Sequence, residues 1–116
     1  MWHNPQETAR AAWVAQAVAH PIRLQILAYL AGQGAYVMDL TEALGRRQAN
    51  ISQHLMVLRE AGLVQAEREG MMVRYTLRSD TVTELLAVLS RLAENLPVEA
   101  KMGGGRRRFR RGRGRW

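Results

Sequence analysis

Residues Gln48 to Val64, QANISQHLMVLREAGLV, carry the pattern that most limits what this chain can become. Ile51, Leu55 and Leu58 recur at helical spacing, and Ala61-Gly62 then breaks the period ahead of Leu63 and a strand-like run. The opposite face of that helix holds Gln48, Ser52 and Gln53. These are short, uncharged hydrogen-bonders, the type that meets base edges in a DNA major groove. A helix needing only solubility would more often carry Glu and Lys there. An ordinary amphipathic helix with a polar outer face is the competing reading, and the flanking segments decide between the two.

Asn4-Pro5 with Glu7 predicts a first helix running to about Ala19, with Trp13, Val14, Ala17 and Val18 on one face. His20-Pro21 opens a second, whose Ile22, Ile26, Leu27 and Leu30 keep helical spacing until Gly32 and Gly34. A short third helix spans roughly Val37 to Leu44, with Val37, Leu40 and Leu44 inward, and Gly45 stops it. Arg46-Arg47 form the turn into the fourth helix, about Gln48 to Ala61. Two helices joined by a tight turn containing Gly, the second with a polar face, make a helix-turn-helix pattern. Val64, Ala66 and Arg68 then alternate with Gln65 and Glu67, Glu69-Gly70 is the expected turn, and Val73, Tyr75 and Leu77 alternate with Arg74 and Thr76. A hairpin in that place is a wing. Ser79-Asp80-Thr81, with Glu84 set for a capping box with Thr81, opens a last helix carrying Val82, Leu85, Leu86, Leu89, Leu92, Ala93 and Leu96 before Pro97. The expected class is mainly α with a small β-hairpin (α+β): a winged helix-turn-helix over residues 1–97, followed by an Arg/Gly-rich tail over 98–116.

With 116 residues the chain suits one compact domain. It has no Cys, so disulfides, thiolate metal sites and thiol switches are excluded. No run of apolar residues is long enough to span a bilayer, and the first residues lack a secretory pattern, so the expected compartment is the cytoplasm. No Ser/His/Asp arrangement, phosphate loop or paired-carboxylate constellation is visible, and an enzyme is not expected. The net charge of +7 is uneven: the last fourteen residues hold seven of the seventeen basic residues and no acid, which leaves ten bases against ten acids elsewhere. The basic pI therefore reports the tail, and DNA binding by the folded part has to be argued from its surface.

The first and last helices are apolar over more than one stripe. A domain this small cannot bury both within itself, so a homodimer through Trp13, Val14, Val18, Leu85, Leu86, Leu89 and Leu92 is expected. The alternative is that these faces cover the chain's own core.

His20-Pro21-x-Arg23-x-x-Ile26-Leu27, Asp39-Leu40, Gln48-x-x-Ile51-Ser52-Gln53-His54-Leu55-x-x-Leu58-Arg59-x-Ala61-Gly62-Leu63-Val64, Arg68-Glu69-Gly70 and Tyr75 resemble the ArsR/SmtB winged-helix repressors over about Ala19 to Leu77. The resemblance implies a dimeric cytoplasmic repressor that sits on a double-stranded DNA operator and leaves it when an inducer binds. Gln48, Ala49, Ser52 and Gln53 share the outer face of the fourth helix, with Gln48 and Gln53 expected on base edges and Ser52 on a base or phosphate. Arg46 and Arg47 suit phosphates, and Asn50 and His54 sit at the margin of the surface. In the wing, Arg68 and Arg74 flank the turn and are expected at phosphates or a minor groove.

The metal sites that the resemblance implies are missing. Where one family site uses a Cys-x-Cys pair just before Asp-Leu, this chain has Tyr36 and Met38. Of the site on the last helix only Asp80 remains, with Val82, Ala93 and Leu96 at the other positions, and one carboxylate cannot hold zinc or nickel. The remaining metal candidates are His3, which with a free terminal amine and two amides makes a square-planar nitrogen set, and His20 at a non-standard nickel or zinc site. A small molecule or a partner protein is the other type of inducer.

The tail GGGRRRFRRGRGRW reads as disordered when free, with phosphate-binding Arg and with Phe109 and Trp116 able to stack on bases. The expected function is sequence-specific transcriptional repression. The alternative is a nucleic-acid-binding protein dominated by the tail, either RNA-binding or packaging DNA without sequence preference.

Overall fold

Asn4 starts α1 (Pro5–Val18) by accepting the Glu7 N–H on its side-chain oxygen at 2.9 Å, and Pro5 fills a position whose N–H would have no helical partner. His20 does the same for α2 (Pro21–Gly32), its Nδ1 accepting from the Ile22 N–H at 3.1 Å. α3 (Val37–Leu44) ends on Gly45, which holds φ +64° in the left-handed region that suits glycine. After Arg46-Arg47 come α4 (Gln48–Glu60), β1 (Val64–Glu69), β2 (Met72–Leu77) and α5 (Asp80–Glu94). This computed structural model describes residues 1–97; the tail expected over 98–116 lies outside them. The expected class holds: mainly α with one antiparallel hairpin, a winged helix-turn-helix.

The chain divides after Leu86 into two units, and the core lies in the first, Met1–Leu86. Ile26 and Leu27 of α2, Leu40 of α3, Ile51, Leu55 and Leu58 of α4 and Val64 of β1 are fully buried. Burying one such side chain contributes about 1.5–3 kcal/mol, so this cluster fixes the angle between α3 and α4. Ala17 and Val18 pack into it from the last turn of α1, and Val82 from the first turn of α5. Of the described residues in the second unit, Val88, Leu92 and Leu96 are exposed.

The hairpin pairs Val64 with Leu77 through to Glu69 with Met72. Its loop is therefore Gly70-Met71, one residue later than expected, because Glu69 still has a strand partner and Gly70 takes the positive φ of +65°. Two strands alone would be marginally stable. Ala35, in the α2–α3 loop, supplies a further rung: its N–H donates to the Tyr75 carbonyl at 2.9 Å and its carbonyl accepts from the Tyr75 N–H at 2.7 Å. The Arg78 N–H closes the base of the wing on the Leu63 carbonyl at 3.0 Å.

The start of α5 differs from the expectation. Ser79, not Thr81, supplies the cap, its Oγ accepting the Thr81 N–H at 2.9 Å and its carbonyl the Val82 N–H at 3.1 Å. Asp80 thus opens the helix, where a carboxylate suits the positive end of the helix dipole.

Candidate nucleic-acid interface

α4 has two unlike faces. Ile51, Leu55 and Leu58 are buried, while Gln48, Ala49, Ser52 and Gln53 are exposed. The period of 3.6 residues separates them, because Ser52 and Gln53 fall between the inward positions 51 and 55. Arg46 and Arg47 are exposed immediately before the helix. Arg47 provides no side-chain cap and the first turn contains no acid, so the N–H groups there are open to an anion. Gln48 and Gln53 each offer an amide that can both donate and accept, and Ala49 between them leaves room for close approach.

Two margin residues turn inward. Asn50 is half-buried, and its side-chain oxygen is enclosed without a hydrogen-bond partner. His54 is half-buried: its Nδ1 accepts from Arg23 Nε at 3.1 Å, and its ring lies 4.4 Å from that of His20, tilted by 50°. Burial holds the His54 pKa below the ordinary 6.5, with further lowering from His20, Arg23 and Arg46. Arg23 thus holds the Nδ1 of His54, which leaves the Nε2 proton as the one group the ring can donate, and the residue ties α4 to α2.

The wing arginines differ from each other. Arg68 is exposed and its Nη1 donates to the Gly70 carbonyl at 3.4 Å, a weak bond that leaves it free to move toward a phosphate. Arg74 is half-buried, and its guanidinium lies over Gly34, where a Cβ would come within 2.3 Å of it. Its place opposite Glu67 puts it mid-strand, so it lies back on the α2–α3 loop and not at the tip. Tyr36 anchors the same region. Its Oη donates to a Glu69 carboxylate oxygen at 2.5 Å, and its N–H donates to Asp39 Oδ2 at 3.0 Å. The bond to Glu69 raises the phenol's pKa above its ordinary 10.0.

On the faces expected to pair two chains, Trp13 is 55% exposed and Leu92 62% exposed, while Val14, Leu85, Leu86 and Leu89 are half-buried. Val18 lies beneath the face, because the last turn of α1 packs into the core. Among the metal candidates, His3 donates its backbone N–H to Glu7 Oε1 at 3.1 Å, a bond that an amide-bound metal would replace. His20 spends its Nδ1 lone pair on capping α2, which leaves Nε2 to carry the proton and no lone pair for a metal. No group of three or more His, Cys, Asp or Glu among the described residues is arranged to hold a metal ion.

Sequence reasoning missed Arg23 and the Tyr36–Glu69 bond. Arg23 stood in the His20-Pro21-x-Arg23 motif, but its partner lies 31 residues away, a separation that no local pattern encodes.

Two helices joined by a tight turn, the second presenting an exposed, uncharged polar surface beside a β-wing, define a winged helix-turn-helix domain. Residues 20–66 match the arsR family of bacterial regulatory proteins. The chain is 42% identical over 83 residues to the HTH-type transcriptional regulator NmtR of Mycobacterium tuberculosis, covering 72% of this chain and 69% of that one. It is 38% identical over 87 residues to the transcriptional activator HlyU of Vibrio cholerae, covering 75% and 81%. The structure of HlyU superposes with a TM-score of 0.70 at 37% identity, over 77% of this chain and 97% of that one. The homodimeric winged helix-turn-helix DNA-binding domain Mb0332 of Mycobacterium bovis superposes with a TM-score of 0.72 at 32% identity, over 84% and 94%. The chain belongs to the ArsR family of DNA-binding transcriptional regulators. No helix among the described residues is long and apolar enough to cross a membrane.

Proposed function

We propose that this chain is a homodimeric, sequence-specific repressor that reads a palindromic operator with α4 of each protomer. The observation that carries this reading is the exposed row Gln48, Ala49, Ser52 and Gln53, backed by the fully buried Ile51 and Leu58. Gln48 and Gln53 meet base edges, Ser52 meets a base or phosphate, and Arg46 and Arg47 hold the backbone ahead of the helix. Arg68 is the wing's phosphate contact. Second copies of α1 and α5 cover Trp13, Val14, Leu85, Leu86, Leu89 and Leu92; the homodimeric state of Mb0332 supports pairing of two chains. Symmetry then sets the two reading helices one helical turn of DNA, about 34 Å, apart.

An inducer lowers the affinity of this complex. On the proposed dimer face, a hollow of about 210 Å³ lined by Arg10, Trp13, Val14, Glu60 and Ala61 would be closed by the partner chain around a small organic inducer, giving it an indole face and both signs of charge. The arginine-rich tail adds phosphate contacts that do not depend on sequence.

Selection of bound duplexes from a randomised pool tests the reading. It should return a two-fold palindrome with half-sites one turn apart, bound by two chains. Recovery of unrelated sequences, or equal binding to single-stranded RNA, would leave the tail as the nucleic-acid-binding element. A reporter behind the selected palindrome should be lowered by the chain; a rise would assign it activation, as for HlyU.

A further inference from the structure

Besides its buried apolar face, the reading helix is joined by hydrogen bonds of one side chain to the helices before it. Arg23 Nε donates to His54 Nδ1 at 3.1 Å, and Arg23 Nη1 donates to the Ala17 carbonyl at 3.1 Å. A single planar fork on α2 therefore joins the last turn of α1 to the middle of α4. Ser52 and Gln53 immediately precede His54, so a small rotation of α4 about its axis displaces the groups that would meet bases. Hydrogen bonds to base edges weaken steeply with such misalignment.

His54 can accept from Arg23 only while Nδ1 is unprotonated, with the neutral ring's proton on Nε2. A second proton goes onto Nδ1 and removes the bond. It also sets a cation among Arg23 and His20 of α2 and Arg46 of the turn before α4, while α1 contributes the Ala17 carbonyl. Among the described residues, the charged groups acting on His54 are His20, Arg23 and Arg46, all of them basic. We propose that Arg23 is the positioning residue of the DNA-reading helix, acting through His54, and that protonation of His54 releases the helix and lowers discrimination between operator and other DNA. This rests on the reading of α4 as the base-contacting element.

The test measures the affinity of the full chain for the selected palindrome and for a scrambled duplex, at constant ionic strength, from about pH 8 to about pH 5.5. Added positive charge strengthens both affinities alike, so the readout is their ratio. In the wild type the ratio should fall by about tenfold on acidification, the scale of one lost hydrogen bond in each of two protomers. His54→Gln keeps an acceptor for Arg23 and cannot titrate, so it should hold the pH 8 ratio throughout. Arg23→Gln should show the lowered ratio already at pH 8 and no further fall. His20→Asn retains a cap for α2 and should keep the wild-type slope. An undiminished slope in His54→Gln, loss of the slope in His20→Asn, or an unchanged ratio in folded Arg23→Gln overturns the proposal. Should Arg23→Gln fail to fold, the His54→Gln profile decides alone. A wild type that prefers no duplex at pH 8 defeats the operator reading and this proposal together, whereas a preference indifferent to pH defeats this proposal only.

Discussion

Substituting two positions on opposite faces of α4 should separate folding from reading. Leu55 is 1% exposed and joins α4 to the core, whereas Gln53 is exposed. Leu55→Ala removes a buried side chain and leaves a cavity, which costs about 2–5 kcal/mol. A domain of this size has about 5–15 kcal/mol of stability in total, so the loss is a large fraction of it. The midpoint of thermal unfolding should fall by about 10–30 °C at fixed protein concentration. Gln53→Ala touches nothing in the core and should move that midpoint by less than about 0.5 kcal/mol equivalent. Its effect belongs to DNA: about 1–3 kcal/mol per base contact, twice over in a symmetric complex, or about 30-fold or more in operator affinity. Calorimetry and fluorescence anisotropy at one salt concentration measure the two effects. The reasoning fails if Gln53→Ala lowers the unfolding midpoint as Leu55→Ala does, or if it leaves operator affinity unchanged.

Acidification should destabilise the fold through His54. Its pKa is depressed in the folded chain, so the unfolded chain binds the proton more readily. The stability this contributes is complete above the unfolded value of about 6.5 and is lost as pH falls from there through the folded value, a trend that urea titrations should show in the wild type and not in His54→Gln. Tyr36→Phe should abolish the tyrosine ionisation that lies above the ordinary 10.0 and speed amide exchange in β1 and β2, with the unfolding midpoint little changed. Gly34→Ala forces the Arg74 guanidinium off the α2–α3 loop, and since the obstacle is the end of a flexible side chain, folding should survive while DNA affinity gains salt sensitivity from the released charge. Deleting residues 103–116 should flatten the salt dependence of DNA affinity by about 0.9 in logarithmic slope per phosphate released, with the selected sequence unchanged.

The order and type of the elements were legible because each is written locally. Asn4-Pro5 and His20-Pro21 mark helix starts, Gly45 a helix stop, and Gly70 a turn. The inward stripe of α4 follows from spacing alone. What spacing could not give is which way a marginal side chain turns. Asn50 and His54 flank the outer face in sequence, but Arg23 and His20 draw the imidazole inward, and that contact joins residues far apart in the chain. Arg74 alternates with Val73 and Tyr75 and so read as an outward charge. Ala35 pairs with β2 and brings Gly34 under the guanidinium, an approach no hairpin pattern contains. The turn was misjudged by one residue because Glu69 and Gly70 both suit a loop, and the partner that Glu69 finds in Met72 is a property of the register.

The reciprocal pair of hydrogen bonds between Ala35 and Tyr75 makes the hairpin part of the same mechanical body as the helices it accompanies. Ala35 lies two residues before α3, whose Leu40 shares its packing with Leu55 and Leu58. Pulling the hairpin away from a duplex would tug the entry to α3 and, through that packing, the next helix. Groove and backbone contacts should therefore detach as one step, and a molecule that displaces the short Gln33–Tyr36 connection would loosen both without touching either.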